Sequence, residues 1–336
     1  MRRVLVIGGS DGTNVAASLK RAGDDLGVAI TLVDHAEAMQ GPGILRRIAW
    51  HAGGRRPLRL KRFSQKVLAL LEETSATILI GTGAAYIARW AIEKARSRGV
   101  VCINFSTDDP WNPAHSAAWL HDALPAYDIV FTPRRSNISD FERIGCNCVR
   151  YLPFGYDDQL FQRRETGASD AGGDAAILFV GGADEERASF IGRLRRSGLR
   201  VVLVGSYWER YAETRDLSLG QLKPERLSEL TSRAAVSLCL VRRANRDGHV
   251  MRSFEIPAVG GFMIAEDTAE HRELFGEEGK AVLYFGSPEQ AADKCRWALA
   301  NAPERHRMTD AAHVIVTSGG HTYRDRLRTM IEAAAA

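Results

Sequence analysis

Short apolar runs alternate with amphipathic segments along the whole chain, and this alternation most constrains the fold. In the first half the apolar runs lie at 4–7, 29–33, 77–81, 100–105 and 129–132, with helical patterns at 13–25, 63–73, 84–98 and 137–144 between them. Strands and helices that alternate at this spacing form βαβ units around a parallel sheet. The runs contain few polar residues, as expected of strands that are covered on both faces. The pattern predicts an α/β fold.

A polar stretch rich in Gly, Ala and Ser interrupts the alternation at 162–175 and is typical of a linker. The alternation then resumes, with apolar runs at 175–180, 201–204, 236–241, 262–265 and 282–285 and helical patterns at 185–197, 224–234, 251–259, 288–301 and 323–336. We predict two Rossmann-like domains that face a central cleft, because parallel sheets bind ligands outside the carboxyl ends of their strands. The predicted ranges are an N-terminal domain at 1–161, a linker at 162–175, a C-terminal domain at 176–320 and a closing helix at 321–336.

Size and charge exclude several classes of protein. The chain has 336 residues, of which 45% are hydrophobic and 26% charged, as in globular proteins. Its 45 Lys and Arg and 41 Asp and Glu leave a net charge of +4, too small a bias to indicate nucleic-acid binding. No apolar run approaches the roughly 20 residues of a membrane span, and the apolar start is too short for a signal peptide. We therefore expect a soluble, cytoplasmic protein.

Three loops of the N-terminal half follow predicted strands and could contact a ligand. The first contains Gly9 and Ser10, and the second contains Gly83. Glycine lets the backbone approach a ligand closely, but a tight turn from strand to helix needs glycine as well. The third loop contains Asp108 and Asp109, where one acid could bind a hydroxyl or act as a base and the other could cap the next turn. The residues alone do not decide between the two acids.

Two loops of the C-terminal half also follow predicted strands. Gly181 and Gly182 follow the first of these strands and lead into a helix. Backbone N–H groups and the helix dipole at such a position could hold a diphosphate. Gly205 follows the next strand. Both loops could instead serve only to turn the chain.

The segment at 242–266 carries the densest set of candidate residues. Asp247 and Glu255 lie eight positions apart, and Arg252 lies three residues before Glu255, on the same helix face. A carboxylate can accept both hydroxyls of a ribose, and a guanidinium can neutralise a diphosphate. The alternative is a simple intrahelical ion pair between Arg252 and Glu255.

At this point the chain resembles a known family. The stretch Arg252–Phe262, RSFEIPAVGGF, resembles the R-x-F-E-x-x-A-x-G-G segment of glycosyltransferases group 1, in particular their CgeB-like, spore-maturation branch. The resemblance continues through 273–275, 282–285 and 287–289 to His321–Arg326, which is similar to the closing H-T-x-x-x-R helix start of that family. Upstream, 108–110, 151–157 and 160–161 also have counterparts, but the N-terminal half resembles the family mainly in layout.

The resemblance implies a GT-B fold, with a C-terminal helix that crosses back to the N-terminal domain. It also implies transfer of a sugar from a nucleotide diphosphate donor, without a bound metal or other cofactor. Glu255 matches the second acid of the family's E-x(7)-E motif and would contact the ribose, while Asp247, a shorter acid, takes the first position. Arg252 would face the diphosphate. The donor could be UDP-, GDP- or dTDP-linked, and the acceptor could be a glycan, a lipid-linked molecule or a protein.

Candidate residues then divide into three sets. The donor-binding set is Gly181, Gly182, Gly205, His249, Arg252, Glu255, Gly260 and Gly261. The acceptor-side set is Gly9, Ser10 and Gly83. The catalytic set is Asp108, Asp109, His115 and Asp247, of which the first three could supply the base that an inverting enzyme needs.

A basic stretch separates Glu37 from Glu72, with eight Lys and Arg residues and no acid. Apolar residues such as Trp50 and Leu58 lie among the basic ones. Residues 46–66 could contact an anionic membrane at its inner face, bind an acidic glycan, or form an ordinary solvated surface.

Two other classes of protein fit the same layout. One is a non-catalytic protein that binds a nucleotide or a sugar. The other is an NAD-dependent oxidoreductase, for which Asp34 at the end of the second strand is suitably placed. It is disfavoured because neither half carries G-x-G-x-x-G.

Overall fold

The computed structural model describes residues 2–51, 53–114, 116–163 and 176–336. Most of the predicted linker, at 164–175, and the predicted catalytic residue His115 lie outside the described residues. The chain forms two compact units. The first comprises Met1–Phe154, Arg243–Asp247 and Tyr323–Ala336, and the second comprises Gly155–Arg242 and Gly248–Thr322.

The first unit is built on a six-stranded parallel sheet. Its strands are β1 (Arg3–Gly8), β2 (Ala29–Asp34), β3 (Ile78–Thr82), β4 (Val101–Phe105), β5 (Ile129–Thr132) and β6 (Val149–Tyr151), in the order β2-β1-β3-β4-β5-β6. The helices of this part of the chain are α1 (Val15–Leu26), α2 (Gly43–His51), α3 (Leu60–Thr74), α4 (Arg89–Arg96), α5 (Ala118–Ala123) and α6 (Ile138–Arg143). In the central strand β1, Val4 to Ile7 are all buried, because helices cover both faces of the sheet.

The second unit is built on a five-stranded parallel sheet. Its strands are β7 (Ile177–Val180), β8 (Val201–Val204), β9 (Val236–Cys239), β10 (Met263–Glu266) and β11 (Leu283–Phe285), in the order β11-β10-β9-β7-β8. Its helices are α7 (Glu185–Arg196), α8 (Pro224–Arg233), α9 (Arg252–Ala258), α10 (Ala269–Phe275), α11 (Pro288–Ala300) and α12 (Ala302–Ser318). Side chains of Asp184, Thr268 and Ser287 cap the first turns of α7, α10 and α11.

The last helix, α13 (Tyr323–Ala333), belongs to the first unit. Arg326 on α13 donates from Nε to the Pro153 carbonyl at 2.8 Å and from Nη2 to the Phe154 carbonyl at 2.8 Å. The structure therefore returns the C-terminal helix to the first unit, as the resemblance implied. None of the described helices is long and apolar enough to cross a bilayer.

Each sheet has one point at which the chain changes direction. In the first sheet β1 lies between β2 and β3, and in the second β7 lies between β8 and β9. Loops that leave such a pair of neighbouring strands diverge and open a crevice at the carboxyl edge. The loops after β1 and β3, and those after β7 and β9, are therefore the first places to look for a site.

The prediction of two parallel α/β sheets is confirmed, and the limits of the predicted strands shift by at most two residues. The prediction omitted β6, α2, α5, α10 and α12. The compact units also differ from the predicted ranges. Gly155 and the residues after it group with the second unit, where Tyr156 N donates to the His321 carbonyl at 3.1 Å. Residues 243–247 group with the first unit.

Candidate functional site

The carboxyl edge of the second sheet begins with two glycine loops. Gly205 follows β8 with a φ of 137°, and a Cβ there would lie 2.2 Å from the carbonyl oxygen of Gly181. Only glycine lets the ends of β7 and β8 come this close. Gly182 differs, because a Cβ there would meet nothing nearer than 3.6 Å. Gly181 and Gly205 thus shape the edge, whereas a Cβ at Gly182 would make only ordinary contacts, with Arg242 and the Ser206 carbonyl.

Arg187 and Arg242 supply positive charge at this edge. Asp184 accepts a hydrogen bond from Arg187 N at 2.9 Å, so a carboxylate already occupies the N-terminus of α7. The Arg187 guanidinium donates to the carbonyl oxygens of Gly182 and Leu240, at 3.1 Å each. Arg242 Nε lies 3.9 Å from Asp184 Oδ2, and the Arg242 side chain is 31% exposed. An anion at this edge would meet Arg242 rather than the dipole of α7.

Arg252 and Glu255 lie on one face of α9 and form an ion pair, as their spacing predicts. The Glu255 side chain is only 3% exposed, and its Oε2 is the atom that Arg252 Nη1 contacts. Arg252 is 18% exposed, and its guanidinium carbon lies 5.9 Å from the centre of the Phe161 ring. Gly260 and Gly261 form the turn from α9 into β10. The site thus contains a buried carboxylate that is paired with a partly exposed cation.

His249 lies just before α9, and its side chain is fully buried. Its Nδ1 hydrogen-bonds Oε2 of Glu270, and the edge of its ring faces Phe254 at 5.5 Å between centroids. A carboxylate on one ring nitrogen fixes the orientation of an imidazole. His249 is therefore a buried ring whose orientation Glu270 fixes. Its contact with the donor stays a prediction.

A hydrogen-bonded chain connects the start of α9 to β10 and α10. The ring of His271 donates from Nδ1 to the Glu266 carbonyl at 2.7 Å, so its Nε2 can accept from the Ser253 hydroxyl at 2.8 Å. Ser253 Oγ in turn accepts from Val250 N at 3.1 Å. Burial lowers the pKa of His271 to about 4, although its hydrogen bond to Glu266 acts in the opposite direction. The neutral ring therefore holds the helix that carries Arg252.

Acidification is expected to destabilise the protein as pH falls from 6.5 to about 4, the values at which His271 titrates in the unfolded and folded chain. The unfolded state binds more protons in this window, so the free energy of unfolding falls with pH, by roughly 3 kcal/mol once pH 4 is reached. Urea titrations at several pH values measure the slope. We expect His271→Asn to remove most of it, and His306→Asn, at an exposed histidine, to leave it unchanged. Equal slopes in the two variants would contradict the assignment.

At the carboxyl edge of the first sheet, the predicted acceptor-side residues lie in the loops after β1 and β3. Ser10 donates to Asp34 Oδ2 at 2.6 Å, and Asp34 Oδ1 also accepts from Ala36 N at 2.8 Å. Burial raises the pKa of Asp34, but these hydrogen bonds outweigh it and the net pKa is lowered. Gly83 has a φ of 58°, and a Cβ there would lie 3.2 Å from Asp108 Oδ2. Gly9 lies next to Ser10 in the loop after β1. The carboxylate of Asp108 therefore lies close to the loop that contains Gly83.

The structure distinguishes Asp108 from Asp109. Asp109 is 1% exposed and accepts hydrogen bonds from Arg246 Nε at 2.7 Å and Nη2 at 3.0 Å. It also accepts from Trp111 N at 2.9 Å and Asn137 Nδ2 at 3.0 Å. These four donors make Asp109 the residue that caps the turn. Asp108 is exposed, and of the two it is the acid that can reach a ligand.

The charge of Asp108 acts on two rings that sequence reasoning did not single out, His35 and Tyr86. His35 and Tyr86 stack with ring centroids 4.8 Å apart. Burial lowers the pKa of His35, while the charges of Asp34 and Asp108 raise it. Burial also raises the pKa of Tyr86, and the charge of Asp108 adds to that rise. The first edge therefore holds an exposed carboxylate beside a neutral imidazole and a phenol, a set suited to binding and deprotonating a hydroxyl.

Asp247 lies in the first unit, where its Oδ1 accepts from Arg134 Nε at 2.5 Å. The two side chains are 4% and 1% exposed. Arg134 also donates to the carbonyl oxygens of Ser106, at 3.2 Å, and Thr107, at 2.8 Å. The carboxylate that occupies the first position of the E-x(7)-E motif is thus bound to a buried guanidinium. Its contact with a donor sugar stays a prediction.

The site residues that sequence reasoning missed are His35, Tyr86, Arg134, Arg187 and Arg242. One signal could have found three of them, because His35, Arg134 and Arg242 each lie within three residues after a strand. Charged residues at that position lie on the carboxyl edge of a parallel sheet. Across the described part of the chain, no group of three or more His, Cys, Asp or Glu residues could hold a metal ion.

We compared the chain with family models, with curated proteins and with solved structures. Residues 187–332, which cover most of the second unit and α13, match the model of a family described as glycosyl transferase-like. No curated protein matches the chain by sequence.

Sucrose-phosphate synthase from Thermosynechococcus elongatus is a similar solved structure, with a TM-score of 0.70 and 13% identity over 99% of this chain and 98% of its own. Anabaena HepE in complex with UDP and glucose has a TM-score of 0.66 and 10% identity over 100% and 99% of the two chains. A trehalose-6-phosphate synthase has a TM-score of 0.65 and 12% identity over 99% of both chains. The fold is that of GT-B glycosyltransferases, as predicted, and the family match supports the prediction of a glycosyltransferase.

Proposed function

We propose that the protein is a cytoplasmic glycosyltransferase of the CgeB-like branch that uses a nucleotide diphosphate sugar. The observation that carries the proposal is the ion pair between the buried Glu255 and the partly exposed Arg252, within the segment that matches a glycosyl transferase-like family. A carboxylate is costly to bury unless a cation pairs with it, and a cation that is still 18% exposed can also contact an anionic ligand. In the proposed complex Glu255 accepts hydrogen bonds from the ribose hydroxyls of the donor.

The second unit would stabilise the leaving group. Transfer breaks the bond between the sugar C1 and the diphosphate oxygen, forms a bond from C1 to the acceptor oxygen, and releases the nucleoside diphosphate. Negative charge grows on the diphosphate as that bond breaks. Arg252 and Arg242 are partly exposed cations in the stretch that follows β9, and their charge supports this role. We propose that they, together with the backbone beside Gly182, replace a metal ion in this role.

The first unit would bind the acceptor through Asp108, His35 and Tyr86. Asp108 is the proposed group that takes the proton from the acceptor hydroxyl, since Asp109 is committed to Arg246. The acceptor is a glycan, a lipid-linked molecule or a protein. UDP-glucose is the first donor to test, because HepE was solved with UDP and glucose.

Release of nucleoside diphosphate tests the proposal. The protein is incubated with UDP-, GDP- and dTDP-sugars, with and without pooled acceptors, and the product is separated by chromatography. We expect release from donors of one base, unchanged by EDTA. Asp108→Asn should slow it by about 10²-fold or more, as loss of a general base does, while the affinity for the nucleotide is kept.

Asp122→Asn is the matched control, because this acid also lies in the first unit and its side chain is 62% exposed. A slowing shared by both variants would argue against a role for Asp108. Nucleotide binding without release from any sugar would instead favour the non-catalytic binding protein.

A further inference from the structure

The helix α2 carries an apolar surface that the other described residues do not cover. None of its residues is buried. Ile44, Leu45 and Ile48 are 74%, 50% and 55% exposed. Their spacing of three and four residues places these side chains on one side of the helix. We call these three residues the α2 patch.

Positive charge borders the α2 patch. Arg46 and Arg47 are exposed on the same helix, and Arg56, Lys61 and Arg62 are exposed on the segment that follows. The chain has no acid between Glu37 and Glu72, so no carboxylate within this interval neutralises them. An apolar stripe with cations on its flanks matches the boundary between the headgroups and the acyl chains of an anionic bilayer.

Hydrogen bonds attach the segment that carries α2 to the rest of the first unit. Arg59 N donates to the Ala38 carbonyl at 2.9 Å and so binds the segment to the short 3-10 helix His35–Met39, which precedes α2. On the other side, Arg55 Nη1 donates to the Ser116 carbonyl at 2.7 Å, and Trp119 Nε1 donates to the Arg55 carbonyl at 3.1 Å. The fold therefore fixes both ends of the segment and holds α2 at the surface.

We propose that the α2 patch docks on an anionic lipid surface, with Ile44, Leu45 and Ile48 below the headgroups and the arginines among the phosphates. A second copy of this chain is the less favourable occupant, because the like charges around the two patches would face each other. The proposal concerns α2 alone and does not depend on sugar transfer.

Sedimentation with vesicles tests the docking without any activity assay. The full chain is mixed at low salt with vesicles of phosphatidylcholine alone or with an equal part of phosphatidylglycerol. We expect binding to the anionic vesicles only, weakened at high salt. The double variant Ile44→Asp with Ile48→Asp should lower the partition coefficient by about tenfold or more, because apolar area is lost and charge is added. Arg47→Glu should lower it by about fivefold, because Arg47 lies nearer the flank of the patch than Arg46, which is on the opposite side of the helix.

Matched controls separate docking from general effects. Val314→Asp makes the same kind of change at a residue of α12 that is 59% exposed, and Arg143→Glu reverses an arginine of α6 whose side chain is 71% exposed. Both should bind as the unchanged protein does. The proposal is overturned if the unchanged protein stays in solution with anionic vesicles, or if the α2 double variant still binds. It is also overturned if the protein is a dimer that the α2 double variant converts to a monomer.

Discussion

Arg134→Met is expected to destabilise the first unit by about 3–5 kcal/mol. The guanidinium lies 2.5 Å from Asp247 Oδ1 and donates to the carbonyl oxygens of Ser106 and Thr107. Methionine keeps the length of the side chain but leaves a buried carboxylate and two carbonyl oxygens without their donor. Native-state hydrogen exchange of the β4 and β5 amides measures the loss as a fall in the free energy of opening.

Two further variants separate the buried charge from general effects. Arg98→Met breaks an ion pair with Glu72 on the surface of the same unit, where the side chains are 36% and 63% exposed, and it should cost at most about 1 kcal/mol. Adding Asp247→Asn to Arg134→Met removes the buried negative charge that has lost its guanidinium, and it should restore part of the stability. If Arg134→Met costs no more than Arg98→Met, the buried pair does not hold the unit together.

Loss of nucleotide binding is the second large effect we expect. Glu255→Gln and Arg252→Met should each weaken the affinity for the correct nucleoside diphosphate by about 1–3 kcal/mol, roughly 5- to 150-fold, because each removes a charge-assisted hydrogen bond to the ligand. Calorimetric titration with UDP, GDP, ADP and dTDP measures the affinities and also identifies the base.

The chain offers a matched control for this pair. Arg226 and Glu229 on α8 have the same i,i+3 spacing, but their side chains are 60% and 35% exposed. Arg226→Met and Glu229→Gln therefore remove the same charges from the same unit and should leave the affinity unchanged. Binding that ignores Arg252 and Glu255, or no binding of any nucleotide, would remove the donor site from α9.

The elements that the sequence predicts well are those in which local pattern and burial agree. Every residue from Val4 to Ile7 is buried, so an unbroken apolar run identified β1. The helix α2 was missed although its apolar residues recur at helical spacing, and none of its residues is buried against the described part of the chain. The strand β6 has only three residues, none fully buried, and gives too short a signal.

The candidate site shows the same division between local and distant contacts. Arg252 and Glu255 were placed together because they lie three positions apart on one helix. The choice between Asp108 and Asp109 needed Arg246, which lies 137 positions beyond Asp109. The partner of Asp247 is likewise 113 positions away. The periodicity of the sequence carries no information about such pairs, because the partners are far apart in the chain and meet only in the folded structure.

The assignment of Arg243–Asp247 and Tyr323–Ala336 to the first unit bears on how the chain acquires its structure during synthesis. A ribosome delivers Met1–Phe154 before the second unit, but the partners of Asp109 and Arg134 emerge 137 and 113 residues after them. Arg326 joins the first unit only after the whole second unit has been synthesised. The second unit can therefore finish its own sheet before the first unit has all of its contacts.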